Sequence, residues 1–189
     1  MLVSVEIAPD TLPLTMHCFR DSIKEMASSD QIVLRDGMHE LFRWAHAQNI
    51  PVHVFSAGIY DIIHEVFCLH QMEPYQVHVV SNIMKFERDA FVGFTGRHIA
   101  AMGKNYTMLE GSPGYDKLTD RNHVILFGDS TADVTMSEGL APKVQLNIGF
   151  LNAKVESNLP KYEKLFDIVV IGDESASEVV NFLVKALKL

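Results

Sequence analysis

Cysteine is scarce in this chain of 189 residues, which contains only Cys18 and Cys68. Two cysteines do not make the disulfide framework of a small secreted domain. Both lie in apolar stretches, so we expect buried thiols in a reducing compartment. The cytoplasm is therefore the expected location.

Positive charge and long apolar runs are also scarce. The chain has 16 Lys and Arg against 24 Asp and Glu, a net charge of −8. Since no basic run could follow a phosphate backbone, nucleic acid is not an expected partner. Residues 1–10 have no basic start and too short an apolar run for a signal peptide or a membrane span, so we expect no membrane attachment. A small anionic ligand stays open, because it needs only a local positive site.

The nine histidines are not organised by any metal-binding motif. The chain contains neither an H-E-x-x-H nor a C-x-x-C pattern. We interpret these histidines as ordinary core and surface residues.

Short apolar runs alternate with helical patterns along the chain. Runs rich in Val and Ile, without in–out alternation, are typical of strands buried on both faces. The alternation predicts a doubly wound α/β fold with a parallel sheet and helices on both faces. The predicted strands are 51–58, 77–82, 124–129, 144–150 and 167–173, the predicted helices are 59–72, 131–140 and 175–189, and a hairpin with a polar turn at 87–89 is predicted at about 83–95.

Ligands of such sheets bind beyond the carboxyl ends of the strands, so the strand-end loops are the candidate site. The first is FSAG, where Ser56 follows a buried strand and precedes two small residues. Its hydroxyl, the nearby backbone N–H groups and the next helix N-terminus could hold an anion. A nucleophile elbow, G-x-S-x-G, would need glycine in place of Val54. The alternative is that Ser56 only caps the helix.

The second strand end is VILFGDSTADVTM, in which Asp129 follows an apolar run and Gly128. Asp133 comes one helical turn later and can face the same point. Mg²⁺ takes carboxylate oxygens and keeps several waters, so both aspartates are candidate metal ligands. The alternative is helix capping, with Asp129, Ser130 or Thr131 at the N-cap and Asp133 in the first turn of the helix.

The third candidate is Lys104, in HIAAMGKNYTML. A lysine at the start of a helical stretch is opposed by the helix dipole, and most such lysines are solvated surface residues. Alone this signal is weak. Its weight comes from the serine that precedes it and the aspartates that follow it.

A strand-end Ser, then Lys, then G-D-x-x-x-D resembles the later motifs of the haloacid dehalogenase (HAD) superfamily of phosphotransferases. The stretches VHVFSAGIYDIIHEV, VVSNIMKF, LFGDSTADVTMSEG and YEKLFDIVVIGDES resemble, more narrowly, the cytosolic 5′-nucleotidase III (pyrimidine 5′-nucleotidase) family. The resemblance covers about residues 20–189.

The resemblance implies Mg²⁺-dependent hydrolysis of nucleoside 5′-monophosphates, chiefly pyrimidine ones such as CMP and UMP, with one relative preferring 7-methylguanosine monophosphate. It assigns Lys104 and Asp129 to catalysis, and Asp129 with the support of Asp133 to the metal. It assigns phosphate binding to Ser56, Ala57, Gly58 and Lys104.

The sequence departs from this family in its first motif. The superfamily carries D-x-D-x-[TS] at the end of its first strand, where one Asp attacks phosphorus and the other acts as acid and base. No D-x-D occurs anywhere in this chain. We therefore expect a truncated form that lacks the first strand and most of the helical cap, with residues 1–30 a remnant of the cap and 31–189 the HAD-like core.

The missing strand would lie between the strands that end in FSAG and GDST, and its absence would leave two unpaired edges. Residues 3–7, another chain or a rearranged sheet could fill that position, and exposed edges would favour self-association. Three hypotheses remain for function. They are a nucleotidase, a non-catalytic phosphate- and metal-binding module or subunit, and a HAD phosphatase for other phosphomonoesters.

Overall fold

The computed structural model describes residues 15–29, 33–75, 77–96, 98–100, 104–112, 114–119, 121–140, 142–172 and 175–187. Residues 3–7, one of the candidates for the position of the missing strand, lie outside these residues. The helices are α1 Met16–Ser28, α2 Met38–Ala47, α3 Tyr60–Leu69, α4 Asp116–Thr119, α5 Val155–Tyr162 and α6 Ser177–Ala186. The strands are β1 His53–Ile59, β2 His78–Glu87, β3 Ala90–Thr95, β4 His123–Gly128, β5 Val144–Leu151 and β6 Ile168–Ile171. Within the described part of the chain, no helix is long and apolar enough to cross a membrane.

The first sheet has the order β1-β2-β3. Strands β1 and β2 are parallel, with His53 opposite His78, and β2 and β3 are antiparallel. The turn between β2 and β3 places Arg88 and Asp89 at φ of 49° and 67°, the left-handed values of a two-residue hairpin turn. The predicted hairpin is confirmed.

The second sheet has the order β4-β5-β6 and is parallel throughout. Helices α2 and α6 cover one face, where Leu41, Val180 and Leu183 pack around the fully buried Ile148. Helix α5 covers the other face. Its core consists of Leu126, Leu151, Tyr162 and Phe166. Apolar side chains on both faces explain why these strands show no alternation, and they confirm the predicted α/β layers.

Strands β1 and β4 belong to different sheets, although the sequence predicted one sheet around a vacant strand position. Within the described strands, β1 pairs with β2 and β4 pairs with β5. The two halves are joined by other contacts. The Arg121 guanidinium donates to the Asn49 carbonyl at 3.2 Å, and the Ala176 amide donates to the Asp36 carbonyl at 2.9 Å.

The predicted helix at 131–140 is wrong. Only Asp133–Ser137 is helical, and it is a 3₁₀ helix that gives way to Gly139 at φ 101°. The Thr135 hydroxyl donates to the Ala132 carbonyl at 2.8 Å, and side-chain bonds of this kind compete with α-helical bonding. Short 3₁₀ turns are common where a loop must stay tight.

The cysteine prediction is also wrong in part. Cys18 is exposed and Cys68 is half-buried, and neither forms a disulfide. Cys18 is exposed because it lies in the first turn of α1, on the side that faces solvent.

Helix α1 packs on the rest of the molecule. Its amino end meets the hairpin, where the Met16 amide donates to the Asp89 carboxylate at 3.2 Å. Farther along, Ile23 is 3% exposed and Lys24 lies 3.8 Å from Glu65 of α3. The division into a cap remnant at 1–30 and a core at 31–189 stays a prediction.

Candidate active site at the strand ends

A buried ion pair lies beyond the end of β4. Lys104 and Asp133 are 9% and 3% exposed, and the Lys104 Nζ lies 2.5 Å from the Asp133 Oδ1. The other carboxylate oxygen accepts from the amides of Asp129 and Ser130 at 3.1 and 3.0 Å. Both oxygens of Asp133 are thus engaged, which is what a buried carboxylate requires. The alternative of Lys104 as a solvated surface lysine is wrong.

Gly128 makes this loop possible. A Cβ at this position would lie 2.5 Å from the Asp133 Cβ and 2.9 Å from its Oδ2. Asp133 therefore folds back under the loop only because residue 128 has no side chain. This contact explains why a glycine separates the apolar strand from the aspartates.

Asp129 is held by its backbone. Its amide donates to Asp133, and its carbonyl accepts from the Tyr162 hydroxyl at 2.6 Å. The residue is exposed, and its carboxylate has no hydrogen-bond or ion-pair partner among the described residues. The loop thus presents one carboxylate outward while Asp133 points inward.

Helix capping explains neither aspartate. The N-cap of the short 3₁₀ helix is Ala132, and no side chain caps it. Asp133 accepts instead from the amides of the preceding loop. The capping alternative is wrong for the N-cap. Asp133 does lie in the first turn of the 3₁₀ helix, but its carboxylate accepts from the amides of the strand-end turn.

Tyr162 is a site residue that the sequence reasoning missed. It lies at the end of α5, and its ring stacks on Phe166 with 5.1 Å between centroids. Burial raises the pKa of its hydroxyl, and the negative charges of Asp129 and Asp133 add to the shift. The hydroxyl therefore stays protonated as the donor to the Asp129 carbonyl. An aromatic residue on an amphipathic helix carries no signal that could have revealed this contact.

Thr135 ties the lysine segment to the aspartate loop. Its hydroxyl proton is shared between the carbonyls of Ala132 and Lys104, at 2.8 and 3.1 Å. Close by, the Tyr106 amide donates to the Glu138 carbonyl at 3.1 Å. The backbone of Lys104 is therefore held by contacts to the aspartate loop. The Lys104 ammonium group neutralises a negative charge of the same loop.

Ser56 lies within β1 near its carboxyl end, and it accepts from the Gly58 amide at 3.0 Å. It does not cap α3, because that helix begins at Tyr60 with Ile59 at its N-cap and no side-chain cap. The capping alternative is wrong here too. The Ser56 hydroxyl has one acceptor position in use, and its proton has no acceptor among the described residues.

Asn82 connects this strand end to the segment that leads to Lys104. Its amide donates to the carbonyls of Ala57 and Ile99 at 2.8 and 3.0 Å, and its oxygen accepts from the Ile99 amide at 2.8 Å. It is 4% exposed. The sequence reasoning missed this residue, although a polar side chain closing the apolar run 77–82 was a usable signal.

The structure brings Lys104, Asp129 and Asp133 together. Among the described residues, no hydrogen bond or ion pair joins Ser56 to any of these three. Convergence of all four side chains on one pocket stays a prediction, supported by the Asn82 link.

The oxygen atoms at this site fit Mg²⁺. They do not fit a metal whose ligands must all come from the protein. In the described part of the chain, no group of three or more His, Cys, Asp or Glu could hold a metal ion. Mg²⁺ needs only one or two carboxylates, because it keeps waters and takes substrate phosphate oxygens. Asp129 meets this requirement, whereas Asp133 is engaged by Lys104 and two amides.

One family of known proteins matches most of the chain. The family model "Pyrimidine 5'-nucleotidase (UMPH-1)" matches residues 10–188. The chain belongs to the pyrimidine 5′-nucleotidase family. It is 40% identical over 168 residues to the human 7-methylguanosine phosphate-specific 5′-nucleotidase, a match that covers 86% of this chain and 55% of the relative. The chain thus spans about half the length of the curated relatives it matches.

Solved structures agree with the family. A crystal structure of cytosolic 5′-nucleotidase IIIB bound to cytidine superimposes with a TM-score of 0.78 at 32% identity, covering 93% of this chain and 59% of that one. A crystal structure of a probable phosphoserine phosphatase from Vibrio cholerae superimposes with a TM-score of 0.57 at 19% identity, covering 91% of this chain and 52% of that one. This second likeness shows the HAD-like fold alone. The expected family and fold are confirmed.

Proposed function

We propose that this chain carries the metal, lysine and phosphate-binding part of a cytoplasmic site that hydrolyses nucleoside 5′-monophosphates to a nucleoside and phosphate. The observation that carries the proposal is the buried Lys104–Asp133 pair beneath the outward carboxylate of Asp129. Membership of the pyrimidine 5′-nucleotidase family supports the same reaction class.

Asp129 would hold the Mg²⁺, which when bound supplies a positive charge for the oxygens of the transferring phosphoryl group. Asp133 is a positioning residue, because it orients Lys104 and fixes the amides of the loop. Lys104 keeps two of its three N–H donors for a phosphate and neutralises charge there. Stabilisation of the negative charge on the transferring phosphoryl group is the main source of catalysis in phosphoryl transfer.

Ser56, with the backbone of Ala57 and Gly58, would bind the remaining phosphoryl oxygens. The Ser56 hydroxyl proton is available, since the hydroxyl oxygen accepts from Gly58. The Asn82 side chain donates to the Ala57 carbonyl and accepts from the segment before Lys104. These bonds fix the strand end relative to that segment. The ends of two strands would then bind one phosphate from two sides.

The nucleobase has two candidates. The family description and the cytidine-bound neighbour favour a pyrimidine such as CMP or UMP. The curated relatives are named for 7-methylguanosine phosphate. Both are nucleoside 5′-monophosphates, so the roles of Lys104 and Asp129 are the same for each.

A second candidate function is a non-catalytic module that binds phosphate and metal. The observation that favours it is the sequence itself, which contains no D-x-D to supply the attacking carboxylate of the family. Loss of a covalent nucleophile lowers the rate by orders of magnitude. We therefore expect little or no turnover by this chain alone, together with retained binding.

The test measures binding and turnover on the same preparation. CMP, UMP and 7-methylguanosine monophosphate are titrated with and without Mg²⁺ by calorimetry, and phosphate release is followed in parallel. We expect Mg²⁺-dependent binding that Asp129→Ala and Lys104→Met abolish, with Glu138→Ala as an exposed control that leaves it unchanged.

One result would contradict the proposal, and another would contradict the low turnover expected of this chain alone. Binding that is unchanged in both Asp129→Ala and Lys104→Met would remove the assigned phosphate site. Rapid hydrolysis by the pure chain would contradict the expected low turnover and assign the nucleophile to another residue.

A further inference from the structure

A second cavity lies at the opposite edge of the first sheet. It has a volume of about 260 Å³, and its walls include His78, at the start of β2, and Lys117 of α4. Strands β1 and β2 are parallel, so their amino ends lie at the edge away from Ser56 and Asn82. This cavity is therefore separate from the proposed catalytic edge, and its argument does not depend on the proposed function.

The lining of this cavity is basic in an acidic protein. Lys117, His78 and His46 contribute nitrogen donors, and Asn49 contributes an amide. The described lining contains no carboxylate, whereas the whole chain has a net charge of −8. Such a local excess of positive and protonatable groups favours an anionic ligand.

His78 is held in place by close packing. Its ring lies 4.9 Å from that of His53, its register partner in β1, with 35° between the two planes. On the other side stands Gly114, at φ 79°, where a Cβ would lie 2.5 Å from the His78 ring. Both ring nitrogens of His53 are buried, and among the described residues neither has a hydrogen-bond partner of good geometry, so His53 packs against His78 as a neutral ring.

Further contacts fix the rest of the wall. Arg121 donates to the Lys117 carbonyl at 3.4 Å and to the Asn49 carbonyl at 3.2 Å, which joins α4 to the end of α2 and adds a positive charge behind them. Tyr75 packs edge-on against His46 with 6.0 Å between centroids. The cavity is thus built from four separate segments that are bonded or packed together.

We infer that this cavity is a binding site for a small phosphate-class oxyanion, with Lys117 supplying a fixed charge and His78 and His46 donating N–H groups. Its volume of about 260 Å³ lies below the roughly 300–1,000 Å³ of pockets that enclose larger organic ligands, and it is sufficient for a small oxyanion. The ligand class is inorganic phosphate, sulfate or the phosphate group of a small ester.

Binding should respond to pH through His78. It faces His53 from β1, Lys117 from α4 and the backbone of Gly114, while His46 and Tyr75 line the same cavity. In the free protein, burial and the charge of Lys117 lower the pKa of His78. A bound dianion offsets the charge of Lys117 and favours protonated His78, so binding takes up a proton and is tighter at lower pH.

The test uses NMR of the histidine ring C–H groups of the full chain. Sulfate is the main probe, because its charge is constant between about pH 5.5 and about pH 7.5, the range in which histidine titrates. We expect sulfate to shift the His78 signals, to raise the measured pKa of His78, and to bind more tightly at the lower pH. Inorganic phosphate should compete with it.

Two variants distinguish binding of sulfate at this site from general screening of the protein's charges by salt. Lys117→Gln should weaken sulfate binding at least about threefold, because it removes the fixed charge. Lys185→Gln on α6 removes the same charge from a remote exposed position and should change nothing. His78→Gln should abolish the pH dependence.

The inference is overturned if sulfate leaves the His78 signals unmoved, or if Lys117→Gln and Lys185→Gln act alike. It is also overturned if Zn²⁺ shifts His53 and His78 while sulfate does not, since that result would make the pocket a cation site. None of these readouts depends on hydrolysis, so they are independent of the test of the proposed function.

Discussion

Two regions of this molecule enclose ionisable side chains, and they do so by opposite means. At the end of β4, Lys104 and Asp133 are buried as a charged pair whose carboxylate also accepts two amides. At the amino ends of β1 and β2, His53 and His78 pack ring against ring, and His53 has no hydrogen bond of good geometry among the described residues. Burial and nearby positive charge lower the pKa of His53 to about 4, so it is neutral at physiological pH.

The difference shows how a protein buries a titratable group. A carboxylate of usual pKa near 4 is charged at neutral pH and needs partners for every oxygen, whereas an imidazole can give up its proton. Asp133 and Lys104 therefore depend on each other, and loss of either leaves an uncompensated charge. His53 depends on pH instead.

Replacing Lys104 by methionine should have the largest effect. It leaves Asp133 charged and buried without its cation, which is expected to lower the free energy of unfolding by about 3–5 kcal/mol. Urea unfolding at neutral pH measures this loss. Lys185→Met, an exposed control, should stay within about 0.5 kcal/mol of the parent.

The double variant Lys104→Met/Asp133→Asn sharpens this prediction. A neutral amide oxygen can still accept from the amides of residues 129 and 130, so the double variant should be more stable than Lys104→Met alone. Equal stability of the two variants would show that the ion pair is not what makes Lys104 important.

Gly128→Ala tests whether the aspartate loop depends on the missing side chain. The new Cβ would meet the Asp133 Cβ at 2.5 Å, and overpacking of this kind lowers stability by about 1–3 kcal/mol. Gly58→Ala is the matched control at the other strand end, because its Cβ would meet only the hydroxyl at the end of the Ser56 side chain, at 3.1 Å. A larger loss in Gly58→Ala than in Gly128→Ala would reverse the comparison of the two strand ends.

Tyr162→Phe removes the hydroxyl that donates to the Asp129 carbonyl. One such hydrogen bond contributes about 0.5–1.5 kcal/mol to stability. The raised pKa of Tyr162 adds a pH signature: its stabilisation is complete below the usual tyrosine pKa near 10 and is lost as pH rises through the higher folded value. The parent should therefore lose more stability in alkali than Tyr162→Phe, and Tyr60→Phe should behave like the parent.

His53→Gln should have the smallest effect, and it appears only in acid. The pKa of His53 is lower in the folded chain, so the unfolded chain binds a proton first and the parent loses stability as pH falls from 6.5 to about 4. Glutamine does not titrate, and the variant should lose about 1 kcal/mol less over that window, because partial solvent contact screens the shift. Identical acid unfolding curves for the parent and His53→Gln would show that His53 is solvated in the folded protein.

The strand pattern was readable from sequence because it depends on local features. The apolar runs at 51–58 and 144–150 lie within one or two residues of β1 and β5, and the hairpin turn falls at Arg88 and Asp89. A strand that is buried on both faces appears in the sequence as a nearly continuous run of apolar residues. The helix predicted at 131–140 failed because the backbone there is set by the contacts of Asp133 and Thr135, which propensity does not contain.

By itself, the sequence determined the α/β layers, the family, and the identity of Lys104, Asp129 and Asp133 as the residues to examine, because apolar periodicity and strand-end motifs are written in local order. Only the tertiary structure decided that Asp133 faces inward to Lys104 while Asp129 faces outward, that Tyr162 and Asn82 hold the two strand ends, and that His53 stacks on His78. Each of these contacts joins residues distant in the chain or depends on the direction of a side chain, and no local pattern encodes either.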